Sequence, residues 1–217
     1  MASIPILREA APPDELAWQF LAVCERAAAG ILLLAVLPLL AASALIVWML
    51  SGRTPFIAHR RVGWRGSELW MLKLRTMWGA TAPAPCGWLE RIDDSAGPAN
   101  KHPRDARVPN AFARFCRRHS VDELPQLWHV VTGEMSLVGP RPLTRREIRE
   151  HYGEAAAELL RVKPGLAGLW QTSGRNRLTY AERRRLDLEF VRSRSIAMYL
   201  RIVIRTLPEI AGGSNSW

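Results

Sequence analysis

The feature that most constrains this fold is a run of 24 residues without a charged side chain, from Ala27 to Leu50. At about 1.5 Å of rise per residue, a helix over this run would reach roughly 36 Å, enough to cross the hydrocarbon core of a bilayer. The run starts too late and is too long for the apolar core of a cleavable signal peptide, and it lacks a basic leading segment. We therefore predict a retained membrane anchor.

Two topologies are open for this anchor. Pro38 lies near its middle and removes a backbone hydrogen bond, so the run either spans the bilayer with a kink or bends and returns to the same side. The residues before the run carry more acids than bases, and we expect them, residues 1–26, to form a frayed or interfacial segment. Arginines cluster after the run, which mildly favours a single span with a cytoplasmic bulk; these are Arg53, Arg60, Arg61 and Arg65.

The composition of the 217 residues fits one catalytic domain with appendages. The formal net charge of +10 predicts an anionic partner. Charge alone does not decide whether this partner is nucleic acid, an acidic membrane surface or a phosphorylated small molecule. The three cysteines show no spacing typical of a zinc site or a disulfide framework, and this favours a reducing, cytosol-facing environment.

Downstream of the anchor, turn signals and short periodic segments alternate. We predict a strand or hairpin arm within residues 53–77, a long loop over 78–104, and a loop with a short strand over 163–176. Helical composition marks residues 143–162 and 179–194.

The last apolar segment, Ser195 to Leu207, has its two cations four residues apart. Arg201 and Arg205 would therefore share one face of a helix. Such a helix is typical either of the headgroup region of a membrane or of an ordinary core-facing position.

Two adjacent acids lie between arginine clusters in the stretch RRHSVDELPQLWHVVTGEMSLVGPRP, from Arg117 to Pro142. One interpretation is structural: Ser120 and Glu123 fit a capping box at the start of a helix. Pro125 argues for a helix that begins nearer the proline, with the acids in the preceding turn. In either case Asp122 and Glu123 lie at a helix N-terminus, where negative charge is favoured.

An ionised Asp122 in this setting could attack phosphorus and form a covalent intermediate. Arg117, Arg141 and Mg²⁺ would then offset the repulsion between carboxylate and phosphoryl group. His129 is a candidate base, although a lone histidine on an apolar helix is more often a packed residue. Further candidate anion contacts, which could equally be solvated charges, are Lys73, Arg75 and Arg175.

Three segments, KLRTM, SVDELPQLWHVVTGEMSLVGPRP and KPGLAGLWQTSGRN, occur in this order, and together they resemble the bacterial sugar transferase family, the monotopic phosphoglycosyl transferases. The resemblance runs from about Glu25 to Thr206. It implies transfer of a sugar 1-phosphate from a UDP-sugar to polyprenyl (undecaprenyl) phosphate, with Mg²⁺ required and UMP released. In such families this transfer initiates membrane glycan assembly.

The resemblance also implies roles for single residues. Asp122 matches the nucleophile that forms a covalent phosphosugar intermediate. Glu123 matches its partner acid, linked to Mg²⁺ or to the second half-reaction, so both acids are candidate metal ligands. The remaining matches are polar positions of the active site and of a basic motif: Arg117, Arg141, Arg175 and Asp187 for the former, Lys73 and Arg75 for the latter.

The expected architecture is a predominantly helical α+β fold. Residues 1–52 would hold the lead-in and a re-entrant membrane helix, and residues 53–217 a catalytic domain with a small β-hairpin and interfacial amphipathic helices. The family's re-entrant helix breaks at a Ser-Pro pair where this chain has Leu37-Pro38, and we prefer the re-entrant form to a single span. The active site would then face the cytoplasm at the bacterial inner membrane.

The expected partners are a UDP-sugar, polyprenyl phosphate and the lipid bilayer, without nucleic acid. A homo-oligomer, or binding to other proteins of glycan assembly, is left open as an addition to these partners. Competing hypotheses are a membrane-tethered nucleic-acid binder that uses arginine clusters such as Arg183-Arg184-Arg185, and a catalytically silent scaffold. The chain departs from the family pattern at three positions: His129, where Asn is common, Pro109, where Thr is usual, and Tyr199, where an acid is frequent.

Overall fold

The structure, a computed structural model, describes residues 15–77, 87–93, 108, 110–174 and 177–212, with the side chains of 207 and 209–212 excepted. Its described part is mainly helical, with two small sheets. The helices are α1 (Glu15–Ser51), α2 (Ala111–Arg118), α3 (Leu127–Thr132), α4 (Arg145–Glu147), α5 (Ala156–Leu159), α6 (Tyr180–Ser193) and α7 (Ile196–Gly212). The strands are β1 (Phe56–Val62), β2 (Glu68–Leu74), β3 (Leu89–Ile92), β4 (Ser136–Val138) and β5 (Gly165–Ala167). The predicted predominance of helix is confirmed.

Helix α1 contains the whole uncharged run and continues through Pro38. Within the described residues it is the helix long and apolar enough to cross a membrane. Its first three turns precede the uncharged run, so the frayed alternative for the lead-in is wrong for residues 15–26, and the interfacial alternative stays a prediction. These turns are ordered by contacts: Trp18 and Leu21 pack against a core cluster that includes Phe190 and Ile202.

Glu25 fastens α1 to the rest of the chain. Its carboxylate accepts hydrogen bonds from Ser136 Oγ (2.9 Å), from the backbone N–H of Leu137 (3.1 Å) and from the Tyr199 hydroxyl (2.7 Å). These three hydrogen-bond donors compensate the carboxylate for the water that it loses at a partly buried position. Tyr199, one of the departures from the family pattern, thereby joins α7 to α1.

Both ends of the uncharged run of α1 pack against the remainder of the protein. Near its start, Ala29 lies in a core cluster with Leu127 and Val130 of α3. Near its end, Val47 lies in a second cluster with Leu74 and Val121. The opposite side of α1 exposes large apolar side chains: Ile31, Leu34, Leu37, Leu39, Leu45, Trp48 and Met49. A contiguous apolar surface of this kind is typical of membrane contact.

The predicted hairpin is confirmed. Strands β1 and β2 pair antiparallel with Phe56 opposite Leu74, and the chain reverses where Arg65 (φ 55°) and Gly66 (φ 80°) adopt left-handed conformations. Strand β3 adds to β1 in parallel. This third strand lies within residues 78–104, which we predicted to be a loop; the prediction is wrong for Leu89–Ile92, and residues 78–86 and 94–104 lie outside the described residues.

Strands β4 and β5 form a second, parallel sheet, and the short strand predicted within residues 163–176 is confirmed as β5. The backbones of Gly139 and Gly165 approach so closely that a Cβ on Gly165 would lie 2.0 Å from the Gly139 nitrogen. Only glycine fits there. This close approach holds the Gly-Pro-Arg-Pro loop, which carries Arg141, against the start of β5.

The helical segment predicted at residues 143–162 exists as a series of short turns. After α4 the chain forms a π-helical turn over Ile148–Tyr152 and a 3₁₀ turn over Gly153–Ala155 before α5. The interruption has a local cause, because Gly153 has a positive φ of 51° that breaks the helical path. The helices predicted over 179–194 and 195–207 are confirmed as α6 and α7.

Candidate active site

The two adjacent acids lie in a 3₁₀ helix, Val121–Gln126, which leads directly into α3. We call this segment the acidic 3₁₀ helix. It accommodates Pro125 internally, and its preceding residue, Ser120, is left-handed with a φ of 56°. Ser120 makes no side-chain capping hydrogen bond, so the capping-box interpretation is wrong. The acids lie in the first turn, as the position of Pro125 indicated.

Glu123 bridges two cations with one carboxylate oxygen. Its Oε1 lies 2.9 Å from Lys73 Nζ and 3.2 Å from Arg141 Nη2. All three side chains are about a quarter exposed or less, so water screens their charges only in part. Glu123 thereby brings together the end of β2, the acidic 3₁₀ helix and the Gly-Pro-Arg-Pro loop.

Asp122 is only 8% exposed, and its charge acts on Arg141. The pKa of the Arg141 guanidinium is raised, and the largest cause is the negative charge of Glu123. The charges of Glu147 and Asp122 raise it further. On its other side, Asp122 adds to the burial that raises the pKa of the Cys116 thiol to about 12. The surroundings of Asp122 therefore include a guanidinium, which could offset its repulsion of an anionic group, and a neutral thiol.

Arg75 has a different environment from Lys73, although both belong to the basic motif. Its guanidinium donates to the Thr54 carbonyl oxygen (2.7 Å), to Thr54 Oγ1 (2.8 Å) and to Glu90 Oε2. The side chain is buried. Arg75 therefore holds β3 against the residues that precede β1, and Lys73 is the cation of this motif that reaches the acidic 3₁₀ helix.

The other candidate residues are placed as follows. Arg117 lies half-buried in the last turn of α2, three residues before Ser120, the residue that precedes the acidic 3₁₀ helix. Arg175 lies outside the described residues, as does Pro109. Asp187 of α6 is 2% exposed and accepts a hydrogen bond of 2.6 Å from the Tyr152 hydroxyl. Burial raises the pKa of Asp187 to about 7, against the opposing effects of Tyr152 and Arg183.

His129 is not placed to act as a base. Its Nε2 lies 3.1 Å from the backbone nitrogen of Leu72 and accepts that N–H, while Nδ1 lies 2.7 Å from Glu134 Oε2. Since Nε2 is the acceptor, the ring is neutral with its proton on Nδ1, and no lone pair remains for a substrate proton. The hydrogen bond from His129 also lowers the pKa of Glu134. The packed-residue interpretation is confirmed.

Several residues of this region had no signal in the sequence. Thr54 and Glu90 hold Arg75, and Glu134 orients His129. Gln126 is 3% exposed, and its buried Nε2 has no hydrogen-bond partner within the described part of the chain. Because residues i and i+3 eclipse in a 3₁₀ helix, Gln126 follows Glu123 on the same face. For Gln126, the spacing of three residues from Glu123 was the only sequence signal that could have indicated a position beside the site.

The candidate metal ligands of this site are two adjacent carboxylates. Among the residues that the structure describes, no three His, Cys, Asp or Glu side chains cluster as a metal site. The protein thus offers the two adjacent carboxylates of Asp122 and Glu123. Mg²⁺ commonly takes one or two carboxylates and completes its octahedron with phosphate oxygens and water, so this donor set fits Mg²⁺ beside a diphosphate.

Known proteins resemble this chain over most of its length. A family model described as bacterial sugar transferase matches residues 17–213. The exopolysaccharide production protein ExoY of Rhizobium meliloti is 38% identical over 194 residues, which cover 88% of this chain and 84% of that protein. The UDP-galactose-lipid carrier transferase of Erwinia amylovora is 36% identical over 178 residues, or 78% of this chain and 36% of that protein. The UDP-glucose:undecaprenyl-phosphate glucose-1-phosphate transferase of Xanthomonas campestris is 31% identical over 206 residues, or 90% and 40%.

Proposed function

Since the chain belongs to the bacterial sugar transferase family, we propose that it transfers a sugar 1-phosphate from a UDP-sugar to undecaprenyl phosphate and releases UMP. The relatives from Erwinia amylovora and Xanthomonas campestris are named for transfer to a lipid carrier and to undecaprenyl phosphate. The chain would thereby perform the membrane step that starts the assembly of a polysaccharide or glycoconjugate.

The observation that carries this proposal is the bridge from Glu123 to Lys73 and Arg141 beside the buried Asp122. Two cations fixed within reach of a carboxylate can hold a diphosphate that the carboxylate alone would repel. The bridge fixes these cations before substrate arrives, so little reorganisation is needed during the reaction.

Two displacements at phosphorus account for the transfer. A carboxylate oxygen of Asp122 attacks the phosphorus that bears the sugar, and the bond from that phosphorus to the bridging oxygen breaks, so that UMP leaves with the electron pair. An oxygen of undecaprenyl phosphate then attacks the same phosphorus, and the aspartyl oxygen leaves as the regenerated carboxylate. No net proton transfer is required, in agreement with a site whose histidine, His129, has both ring nitrogens engaged.

Asp122 and Glu123 would hold Mg²⁺ together with oxygens of the bound diphosphate. When bound, the ion supplies positive charge that neutralises the leaving phosphate. Lys73 and Arg141 supply further positive charge, which the protein holds in place permanently. Gln126 offers a buried amide donor one turn beyond Glu123.

We propose a monotopic, re-entrant placement of α1 on the cytoplasmic face, and the packing of the helix supports the monotopic part of this proposal. Ala29 and Val47 lie near the two ends of the uncharged run, and both are buried against the catalytic domain. A helix that left the domain to cross the bilayer would carry one of these ends about 25 Å away from it. The helix therefore lies along the domain, and its exposed apolar side would enter one leaflet.

The decisive variant is Asp122→Asn, which keeps the shape of the side chain and removes the nucleophile. In detergent, with a panel of UDP-sugars, undecaprenyl phosphate and Mg²⁺, we expect the wild type to release UMP from at least one donor and the variant to release none above background. Glu154→Gln, an exposed change away from the acidic 3₁₀ helix, is the matched control and should retain full activity. Undiminished UMP release by the Asp122 variant at wild-type thermal stability would refute the assignment.

A second measurement separates the covalent route from direct transfer. The wild type, mixed with a UDP-sugar labelled in the sugar and no acceptor, should release one UMP per protein and retain the label on the polypeptide. Hydroxylamine, which cleaves acyl phosphates, should remove it. UMP release that strictly requires undecaprenyl phosphate, with unlabelled protein, would support direct transfer instead.

A further inference from the structure

Arg26 marks the depth at which this protein meets the headgroups of a membrane. It is the last charged residue before the 24-residue uncharged run that begins at Ala27. An arginine at such a boundary extends its guanidinium toward the headgroup layer, whether the following run spans the bilayer or returns. The position of Arg26 is therefore independent of the choice between those topologies.

A second cation, Lys163, converges on Arg26 from a distant part of the chain. Both lie over Gly133, which ends α3 with a φ of 81°. Arg26 Nη1 and Lys163 Nζ each lie 3.6 Å from the point that a Cβ on Gly133 would occupy. Arg26 is held in place by the bond from its Nε to the Val131 carbonyl oxygen, 2.9 Å long. A single anion above Gly133 could contact both cations.

An indole lies next to this pair. Lys163 Nζ is 5.5 Å from the centre of the Trp64 ring, and Arg65 Cζ is 4.4 Å from the same ring. The Trp64 indole N–H donates to the Arg161 carbonyl oxygen at 3.1 Å, which fixes the ring. Tryptophan is enriched where protein meets the headgroup layer, and Trp64 is an indole in direct contact with the Lys163 cation.

No carboxylate among the described residues pairs with either of these two cations. Within the part of the chain that the structure describes, no carboxylate lies within 4.0 Å of Arg26 or Lys163. The C-terminal carbonyls of α3 provide about half a negative charge, which is too little for two full positive charges. Like charges brought this close repel unless an anion joins them.

We propose that Arg26 and Lys163 bind the phosphodiester group of an anionic phospholipid. The occupant is a lipid because the site lies at headgroup depth and because the exposed apolar surface of α1, which would accompany the acyl chains, begins just beyond Arg26. The site is separate from the acidic 3₁₀ helix. It depends on membrane association and not on the transferase reaction, so its failure would leave the proposed function untouched.

The test is lipid retention by the intact protein in detergent, measured by native mass spectrometry with phosphatidylglycerol or phosphatidylcholine as the probe. We expect the wild type to retain phosphatidylglycerol in preference. Arg26→Gln and Lys163→Gln should each lower that retention about fivefold, as expected for one basic side chain near an anionic surface. Retention of phosphatidylcholine should not change.

The charge-matched control is Arg184→Gln combined with Arg185→Gln, which removes two exposed cations of α6. An equal loss in this control would show a general charge effect and overturn the proposal, as would unchanged selectivity in the double variant of Arg26 and Lys163. Displacement of the lipid by a modest excess of inorganic phosphate would identify a free-phosphate site instead. If Arg26→Gln lowers thermal stability through the lost bond to Val131, Lys163→Gln decides the outcome.

Discussion

Glu123 is the residue on which the geometry of the site depends. One oxygen of its carboxylate pairs with both Lys73 and Arg141, so its removal would leave two cations near each other in a partly dry site without that shared anion. Glu123 thus holds the cations in position, whatever further part it takes in metal binding. Asp122, its neighbour, depends on that arrangement to meet a phosphoryl group.

A double-mutant cycle tests this coupling. Glu123→Gln and Lys73→Met should each lower kcat/KM by about 10²-fold, the usual effect of losing one fixed charge or donor at a phosphoryl site. Because the two side chains act through the same contact, the double variant should lose much less than the product of the single effects. Strictly multiplicative losses in steady-state UMP release would show that the contact has no part in catalysis.

Asp187 should make the stability of the protein depend on pH. Its pKa is about 7 in the folded protein and 3.8 in the unfolded chain, because burial disfavours the charged form. Between these pH values the unfolded chain releases a proton that the folded protein retains, so the free energy of unfolding falls as pH rises from about 4 to about 7 and then levels off.

Asp187→Asn removes this titration and still offers an oxygen to Tyr152. In chemical denaturation at about pH 5, 6, 7 and 8, the stability of the wild type relative to the variant should decline up to about pH 7 and stay constant above it. Parallel curves for the two proteins across this range would contradict the raised pKa.

At the scale of elements, His129 joins the hairpin to the helix that follows the acids. The ring of His129, in α3, accepts the N–H of Leu72 in β2, one residue before Lys73. This hydrogen bond fixes the end of β2 relative to the acidic 3₁₀ helix. The position of Lys73 Nζ beside Glu123 therefore depends on a backbone contact as well as on the ion pair.

Replacement of His129 should show this dependence. His129→Leu leaves the Leu72 N–H without an acceptor and should cost about 1–3 kcal/mol in the free energy of unfolding. His129→Asn offers an amide oxygen and should cost less, with activity closer to the wild type. Equal losses for Leu and Asn in denaturation experiments would mean that the volume of the ring, not its hydrogen bond, stabilises the contact.

Local patterns were sufficient to predict much of the fold and the acids of the site. The turn signals within residues 53–77 and their alternation predicted the hairpin, and the adjacent acids before Pro125 predicted the turn into α3. The partners of these residues were not predictable. Glu90 meets Arg75 across 15 residues and Glu25 meets Tyr199 across 174, and no local periodicity encodes which distant segments pack together.

At the scale of the whole molecule, the catalytic domain and the apolar helix form one body. Contacts at Glu25, Ala29 and Val47 extend along α1, so the rest of the chain is held against the side of this helix and not on a tether. A site built in this way would meet a lipid acceptor at the depth where its phosphate lies.

Labelling of a single cysteine tests the re-entrant placement. In a variant without the three native cysteines, Pro5→Cys should react with a membrane-impermeant maleimide only after the inner membrane is opened, because both ends of α1 would lie on the cytoplasmic side. A cysteine at an exposed position of the catalytic domain, such as Arg184→Cys, gives the cytoplasmic reference. Reaction of the Pro5 variant in intact spheroplasts would establish a spanning helix.

The bond between Glu25 and Tyr199 has a consequence for the order of events during synthesis. Chains are made from the N-terminus, so α1 leaves the ribosome long before α7 exists. Until Tyr199 emerges, 174 residues later, Glu25 lacks one of its three donors and the helix cannot be fully seated on its domain. The contact between the first and the last helix is therefore completed only after almost the whole chain has been made.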